Sequence, residues 1–172
     1  MQQTRGRSFS TQKLVTVAVL IAMQIVLTRF LSLELGTTIR IGFSFIPLAV
    51  VAVLYGPIMT VEAAIIADFI GIHLQGKPFD PRFGLTAALT GVVYGICLSR
   101  KPLKPWHIVL CITIVGLFLH LGLNSYWLAQ LTGVPFMAKV SIRLVPELVQ
   151  IVVKSIILIV VLPRLIEVAK NR

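Results

Sequence analysis

Long apolar segments separated by short polar turns fill most of this 172-residue chain. They lie at about residues 12–33, 46–55, 58–74, 83–98, 106–131 and 137–167. Five of them approach or exceed the roughly 20 residues that an α-helix needs to cross a bilayer. Because backbone groups inside a bilayer must be hydrogen-bonded internally, such segments form helices. The sequence predicts an all-α membrane protein with six transmembrane helices, in a single integral membrane domain over residues 1–172.

The composition supports this class and suggests an orientation. Only 13% of the residues are charged, about half the fraction of an ordinary soluble domain. The net charge of +10 would suggest nucleic acid in a soluble protein, but here basic residues are interpreted by their side of the membrane. Nine lie on the side of the termini and six on the other. We predict a multi-pass cell-membrane protein in contact with lipid, with both termini cytoplasmic and no nucleic-acid partner.

The second apolar segment is too short to cross a bilayer on its own. It belongs to the stretch RIGFSFIPLAVVAVLYGP at residues 40–57. Gly42 gives the backbone freedom to turn, and Pro47 suits the first turn of a short helix. Irregular backbone at membrane depth is tolerated where it lines a cavity. We therefore expect RIGFSF, in the first outer loop, to be an irregular gate over an outer cavity.

Polar and aromatic side chains concentrate at the predicted outer ends of the spans. Polar residues inside spans usually face the bundle interior and are candidates for functional sites. Aromatic walls stack flat rings, amides and carboxylates read donors and acceptors, and arginines clamp carboxylates. This combination suits a planar heteroaromatic ligand with an anionic tail. The candidate substrate-binding residues are Arg40, Phe43, Phe45, Asp68, Gln75, Arg82, His120, Asn124, Trp127 and Arg143.

Structural roles are the alternative for each of these residues. Trp127 suits an aromatic anchor at the membrane interface, and the arginines could reach lipid phosphates. Asp68 could pair with Arg40 or Arg82 without a ligand, and His120 could be a packing histidine.

The sequence lacks the motifs of an enzyme or a motor. It contains no GxxxxGK[ST] phosphate loop, no HExxH and no GxSxG. We therefore predict no catalytic residue, no metal site and no cofactor. A transporter subunit without its own ATPase motif must obtain the energy for uptake from a partner protein. Ala18 and Ala22 in the first span have the small-xxx-small spacing that lets another helix approach closely, although packing inside the bundle would use them equally well.

Together these features resemble the S components, the substrate-specificity subunits of energy-coupling factor (ECF) transporters. The resemblance covers nearly the whole chain: six spans, Ala18 and Ala22, and a long first outer loop before a short second span. Within that family it is most similar to the folate subgroup, through RIGFSFIPLAVVAVLYGP at 40–57 and LNSYWLAQLTGVPF at 123–136. The chain reads Asn-Ser-Tyr-Trp-Leu from residue 124, where folate members more often read Asn-Thr-Leu-Trp-Leu.

The resemblance implies a vitamin-binding subunit of an ABC-type importer. Such a subunit binds folate or a reduced folate from outside. It associates with a transmembrane coupling subunit (EcfT) through the alanines of its first span, and with two cytoplasmic ATPases, and it releases the ligand inward by toppling. On this basis Asp68, Gln75 and Asn124 would read the pterin, Phe43, Phe45 and Trp127 would pack against rings, and Arg40, Arg82 and Arg143 would hold the tail.

Three rival functions are also consistent with the sequence. The nearest is an S component for another vitamin, namely riboflavin, hydroxymethylpyrimidine, pantothenate or a queuosine precursor; the basic rim argues mildly against riboflavin. A lipid-acting membrane enzyme would use Asp68 or His120 as catalyst and turn over without partners. A structural subunit would bind no ligand and would leave the outer arginines and aromatics as lipid anchors.

Overall fold

The computed structural model describes residues 11–29, 33–35, 39–76, 79–99 and 104–170. Its strands are β1 (Leu33–Leu35) and β2 (Ile39–Ile41). A π-helical segment (Val115–Leu123) joins two of its helices end to end. Its α-helices are α1 (Thr11–Arg29), α2 (Phe45–Tyr55), α3 (Pro57–Leu74), α4 (Pro81–Leu98), α5 (Pro105–Ile114), α6 (Asn124–Thr132) and α7 (Phe136–Lys170).

These helices form six spans, because α5, the π segment and α6 are continuous from Pro105 to Thr132. Five spans are long and apolar enough to cross a membrane, and α2 is a shorter apolar helix. The prediction of a six-helix, all-α membrane fold is confirmed. The longest span, α7, has 35 residues and is about 52 Å long at 1.5 Å per residue, so it extends beyond the roughly 30 Å hydrocarbon core.

A small β-hairpin replaces part of the expected irregular loop. Strands β1 and β2 pair antiparallel with Glu34 opposite Arg40. Leu33, where the first predicted span ended, therefore lies in a strand. The β-branched Ile39 and Ile41 favour extended backbone, so within the RIGFSF stretch the irregular backbone is confined to residues 42–44. We use "hairpin end" for the end of the bundle that carries β1, β2 and the first turn of α2.

The short helix α2 lies in the middle of the bundle and contacts α1, α3, α4 and α7. Its Ala49, Val51 and Ala52 side chains are fully buried. The helix ends at Tyr55, and the next residue, Gly56, has a φ of 81°, a conformation that glycine adopts without a steric penalty. Pro57 then begins α3 with the fixed φ that suits a first helical position. The chain therefore reverses direction at Gly56, the single residue between α2 and α3.

Helices α3 and α4 make the most extensive contact in the bundle. Gly91 and Gly95 of α4 face the backbone of α3, and a Cβ at Gly91 would lie 2.8 Å from Cα of Val61. Small residues at this spacing let two membrane helices approach closely. The opposite surfaces of the bundle carry exposed apolar side chains such as Ile58 and Phe118, as expected for contact with lipid.

Candidate functional site

A cavity of about 240 Å³ opens among the spans toward the hairpin end. Gly42, Ser44 and Phe45 border it from the end of the hairpin and the start of α2. The hairpin therefore stands at its mouth, and β2 also contacts α7. Pockets that enclose a whole drug-sized ligand have volumes of roughly 300–1,000 Å³. This cavity is large enough for one end of such a ligand.

Polar side chains from five spans converge on the cavity. Those of α4 recur every fourth residue, so they lie on one face of that helix. The polar lining residues beyond the mouth are Gln24 and Thr28 of α1, Asp68 of α3, Thr86, Thr90 and Tyr94 of α4, His120 and Asn124 of the fifth span, and Glu147 and Lys154 of α7.

The π-helical segment brings His120 and Asn124 to the cavity. Asn124 donates its backbone N–H to the carbonyl of Leu119, five residues earlier. A π-helix has more residues per turn than an α-helix, so the side chains of the fifth span point in different directions than an unbroken α-helix would give them. Such π segments are frequent at functional sites. Trp127, three positions after Asn124 and also predicted at the site, does not line the cavity wall.

A buried carboxylate stands at mid-depth in the cavity wall. Glu147 is 4% exposed, and its Oε1 lies 3.4 Å from Nδ1 of His120. Gly116 faces the same point: a Cβ there would lie 3.4 Å from that oxygen and 2.6 Å from Cγ1 of Ile151. The absence of a side chain at Gly116 thus leaves room for both α7 residues.

Two buried polar atoms near the mouth lack hydrogen-bond partners in the described part of the chain. They are Oδ1 of Asn124 and Nε1 of Trp127. An unsatisfied buried polar atom is costly unless a ligand or water completes it. Asn124 lines the cavity, so its amide is placed to meet a ligand.

The structure brings four of the ten predicted site residues to the cavity: Phe45, Asp68, His120 and Asn124. Phe43, Gln75, Arg82, Trp127 and Arg143 are not among the lining residues. The backbone of Arg40 lies in β2, and its side chain falls outside the described part of the structure.

Of the three arginines predicted at the site, Arg82 and Arg143 have described side chains, and neighbours hold both of them near the mouth. Arg143 donates from Nη1 to Oγ of the buried Ser125 at 3.2 Å. Arg82 donates from Nη1 to Oε1 of Gln130 at 3.1 Å and pairs with Asp80 at 3.3 Å. Arg143 is one helical turn nearer the hairpin end than Glu147. Neither arginine lines the cavity wall, but the guanidinium groups of both lie near its mouth.

The predicted partner contact of the first span faces outward. Ala18 and Ala22 are both exposed on α1, whereas Gln24 and Thr28 of the same helix line the cavity. Helix α1 therefore presents small residues on one face and polar residues to the site on another. This surface is open to lipid or to another protein.

The sequence interpretation gave no role to several lining residues, and in three cases a signal was present. Glu147 and Lys154 are charged residues inside an apolar segment, seven positions apart, which is a helical spacing. Thr86, Thr90 and Tyr94 recur at intervals of four. Gln24 and Thr28 have the same interval. In the described residues no group of three or more His, Cys, Asp and Glu side chains could hold a metal ion.

Comparison with known proteins agrees with this architecture. Residues 12–162 match the family model described as "ECF transporter, substrate-specific component". The chain is 31% identical over 146 residues to the "Folate transporter FolT" of Clostridium novyi, covering 84% of each chain. It is 29% identical over 124 residues to the "Folate transporter FolT" of Leuconostoc mesenteroides, covering 70% of this chain and 65% of the relative.

Among solved structures, the chain resembles "Crystal structure of FolT bound with folic acid" with a TM-score of 0.77. The two are 28% identical in sequence, and the match covers 86% of this chain and 90% of the other. The family is a substrate-binding part of a transporter, not an enzyme, and it contains multi-pass membrane proteins. On the family model and the Clostridium relative together, this chain belongs to the substrate-specific components of ECF transporters.

Proposed function

We propose that this substrate-specific component binds folate or a reduced folate in the cavity at the hairpin end. The observation that carries the proposal is the match to a FolT structure bound with folic acid, at a TM-score of 0.77 over 86% of this chain. The names of both curated relatives also favour folate over riboflavin, hydroxymethylpyrimidine, pantothenate or a queuosine precursor.

The chemistry of the cavity supports the same ligand class. The wall combines Asp68, Asn124 and Glu147 with hydroxyl groups of α4, and such groups read the donors and acceptors of a heteroaromatic ring. The ring of Phe45 offers an apolar face beside them. Arg82 and Arg143 supply cationic groups near the mouth, where a carboxylate tail would lie.

We further propose that the subunit works with the usual ECF module of its family. That module would consist of a transmembrane coupling subunit and two cytoplasmic ATPases, with contact through the face of Ala18 and Ala22. Both alanines are exposed, which supports the idea. In this arrangement the subunit lies in the cell membrane with both termini cytoplasmic and the hairpin end facing outward. The hairpin would then gate entry of the ligand from outside. The subunit would topple in the membrane to release the ligand inward.

The test is a folic acid titration of the purified subunit in detergent. Tryptophan fluorescence gives the signal, because Trp127 lies near the cavity while Trp106 lies at the start of α5, at the opposite end of the bundle. We expect saturable quenching by folic acid that persists in Trp106→Phe, and no quenching by riboflavin or pantothenate. Mass spectrometry of copurified small molecules provides an independent check. Copurification of a different vitamin, with no response to folic acid, would reject folate while leaving the family intact.

A further inference from the structure

One carboxylate of the chain lies on the outer surface of a membrane span. Glu62 is exposed and belongs to α3, whose 18 residues extend about 27 Å, close to the roughly 30 Å of a hydrocarbon core. It lies about 7.5 Å along the helix from Pro57, the nearer end. Acidic residues inside spans are rare and almost always face the bundle interior. The outward position of Glu62 therefore indicates a role outside the bundle.

The burial of its neighbours fixes the direction in which Glu62 points. Ala63, Ala64 and Ala67 are buried, and at about 100° of rotation per residue Glu62 lies on roughly the opposite side of α3. Within the described ranges the carboxylate forms no hydrogen bond and no ion pair. The four residues one turn away along the helix are all apolar: Ile58, Met59, Ile65 and Ile66. A charge thus stands in a surface of aliphatic side chains.

The five other acidic residues of the chain lie where the fold or the site accounts for a charge. They are found in the hairpin, in the cavity wall, at the N-cap of α4 and in the last turn of α7: Glu34, Asp68, Glu147, Asp80 and Glu167. Glu62 has none of these positions. It does not line the cavity, so its role concerns the outer surface and not the ligand.

Lipid and a second copy of the chain are poor occupants of this position. Lipid tails offer no hydrogen-bond donor, and glutamate lacks the long stem with which lysine and arginine reach the membrane interface. A symmetric dimer centred on Glu62 would bring two carboxylates together, and like charges repel strongly at low dielectric. A helix of another protein that carries a lysine or arginine at this depth satisfies the carboxylate, because charged residues inside membranes pair with one another.

Glu62 lies at about the depth of the predicted partner contact on α1. Helix α1 leads into the hairpin, and α3 returns toward the hairpin end after the reversal at Gly56, so the two helices run in the same direction. Gln24 of α1 and Asp68 of α3 both line the cavity. Ala18 and Glu62 precede these residues by six positions each, about 9 Å along the helices. Since α1 and α3 contact each other and both residues are exposed, one partner can reach both.

We propose that Glu62 forms an ion pair inside the membrane with a lysine or arginine of the coupling subunit. The inference rests on the proposed association with the ECF module. We call the outward surface that carries Ala18, Ala22 and Glu62 the α1–α3 face. The alanines let a helix of the partner approach closely. The carboxylate then sets the register of that helix and selects it by charge.

The first test measures the Kd between the fluorescently labelled full-length subunit and the purified ECF module. We expect Glu62→Leu to raise this Kd roughly tenfold, because the ion pair is lost, and Glu62→Lys to raise it roughly 100-fold, because like charges then meet. Glu167→Lys makes the same change of charge at an exposed position of α7 and should keep the wild-type Kd. An unchanged Kd in Glu62→Lys would overturn the proposal.

The isolated subunit shows whether Glu62 acts on the partner or on the fold. Because Glu62 is exposed and does not line the cavity, Glu62→Leu should keep both the folic acid Kd and the unfolding temperature of the unmodified subunit. A Glu62→Leu variant that unfolds at a lower temperature and binds folic acid less tightly would show that the carboxylate supports the fold, and the proposal would be wrong.

The second test leaves Glu62 in place and identifies its neighbour. A photoreactive amino acid at Ile66, which is exposed one turn from Glu62 on the same face, should crosslink to the coupling subunit in the assembled transporter. The matched control is Val152, an exposed aliphatic residue of α7, which should give no such product. Crosslinking of Ile66 to a second copy of the chain, or to lipid alone, would contradict the proposed partner.

The third test exchanges the charges. In the Glu62→Lys background, the lysines and arginines in the membrane-embedded helices of the coupling subunit are replaced one at a time by glutamate. One replacement should restore assembly with Glu62→Lys and weaken assembly with the unmodified subunit. If no replacement restores assembly, Glu62 does not pair with a basic side chain of this partner and the proposal is wrong.

The outcomes separate this inference from the proposed function on which it rests. If Ala18→Trp blocks assembly but Glu62→Lys does not, the ion pair is wrong and the association with the ECF module stands. If the unmodified subunit does not bind the ECF module, the proposed association fails and the ion pair fails with it.

Discussion

Gly95 of α4 and Pro57 of α3 lie in direct backbone contact: a Cβ on Gly95 would fall 2.4 Å from Cα of Pro57 and 2.7 Å from its Cβ. The contact sits where α3 begins, directly after the reversal at Gly56. Since a proline ring and a helix backbone cannot move aside as the end of a flexible side chain can, this position accepts only glycine without displacement of a helix.

Gly95→Ala is therefore expected to destabilise the bundle by roughly 1–3 kcal/mol, the usual cost of overpacking. The measurement is thermal unfolding in detergent. Gly84→Ala on the same helix is the control, because its Cβ would meet only the ring edge of Phe79, at 3.2 Å, and a ring edge can shift. Equal unfolding temperatures for the two variants would contradict the close approach of α3 and α4.

Gly116→Ala should impair ligand binding more than folding. The new Cβ would lie 2.6 Å from Cγ1 of Ile151, and Ile151 lines the cavity, so its displacement narrows the site. We expect the Kd for folic acid to rise roughly tenfold, equivalent to about 1.4 kcal/mol. Gly122→Ala in the same π segment is the control, since its Cβ would make an ordinary 3.4 Å contact.

A second change checks the cause of that loss. Adding Ile151→Ala to Gly116→Ala removes the atoms that clash, so the double variant should bind more tightly than the Gly116→Ala variant. A double variant that binds no better would show that the loss comes from the helix and not from the side chain of Ile151.

Asn124→Ala should weaken folic acid binding by roughly ten-fold, which corresponds to about one net hydrogen bond. The reason is that Oδ1 of Asn124 is buried without a partner among the described residues and the side chain lines the cavity. Isothermal titration calorimetry gives the Kd. Thr132→Ala, at the exposed end of the same helix α6, should leave it unchanged. Wild-type affinity in Asn124→Ala would remove this residue from the site.

Arg143→Ala should lower the affinity for folic acid but not for 6-hydroxymethylpterin. We predict this difference because the arginine lies at the rim, held by Ser125 at 3.2 Å, where only the anionic tail would reach it. Arg164→Ala, exposed toward the other end of α7, controls for the loss of a charge. An equal loss for both ligands would mean that Arg143 supports the fold through Ser125 and does not hold the tail.

Ala18→Trp should block assembly with the coupling subunit and leave folic acid binding by the isolated subunit intact. Both Ala18 and Ala22 are exposed, so a large side chain there obstructs a close helix contact without entering the bundle. Copurification with the ECF module measures assembly. Val19→Trp is the control, because Val19 is also exposed but points about 100° away around α1. Normal assembly of Ala18→Trp would move the interface elsewhere.

The sequence alone determined the class of fold and its family. Apolar segments of bilayer length must become helices because lipid offers no hydrogen bonds, so hydropathy indicated the five long spans, and a shorter apolar run indicated α2. Gly56-Pro57 marked the reversal before α3 through backbone preferences that act locally. The alanines of α1 pointed to the S components, and the motif around Asn124 pointed to their folate subgroup. Each of these signals depends on neighbouring residues or on composition, so it can be recognised without knowledge of any tertiary contact.

Only the tertiary structure decided which side chains meet in the cavity. The rotation of a helix about its axis depends on packing, and the π segment changes that rotation along the fifth span, so Asn124 lines the cavity and Trp127 does not. Arg82 is not among the lining residues, and its guanidinium group contacts Asp80 and Gln130. Glu147 and Lys154 carried a sequence signal as two charged residues in an apolar run, but only folding places His120 and Gly116 against Glu147.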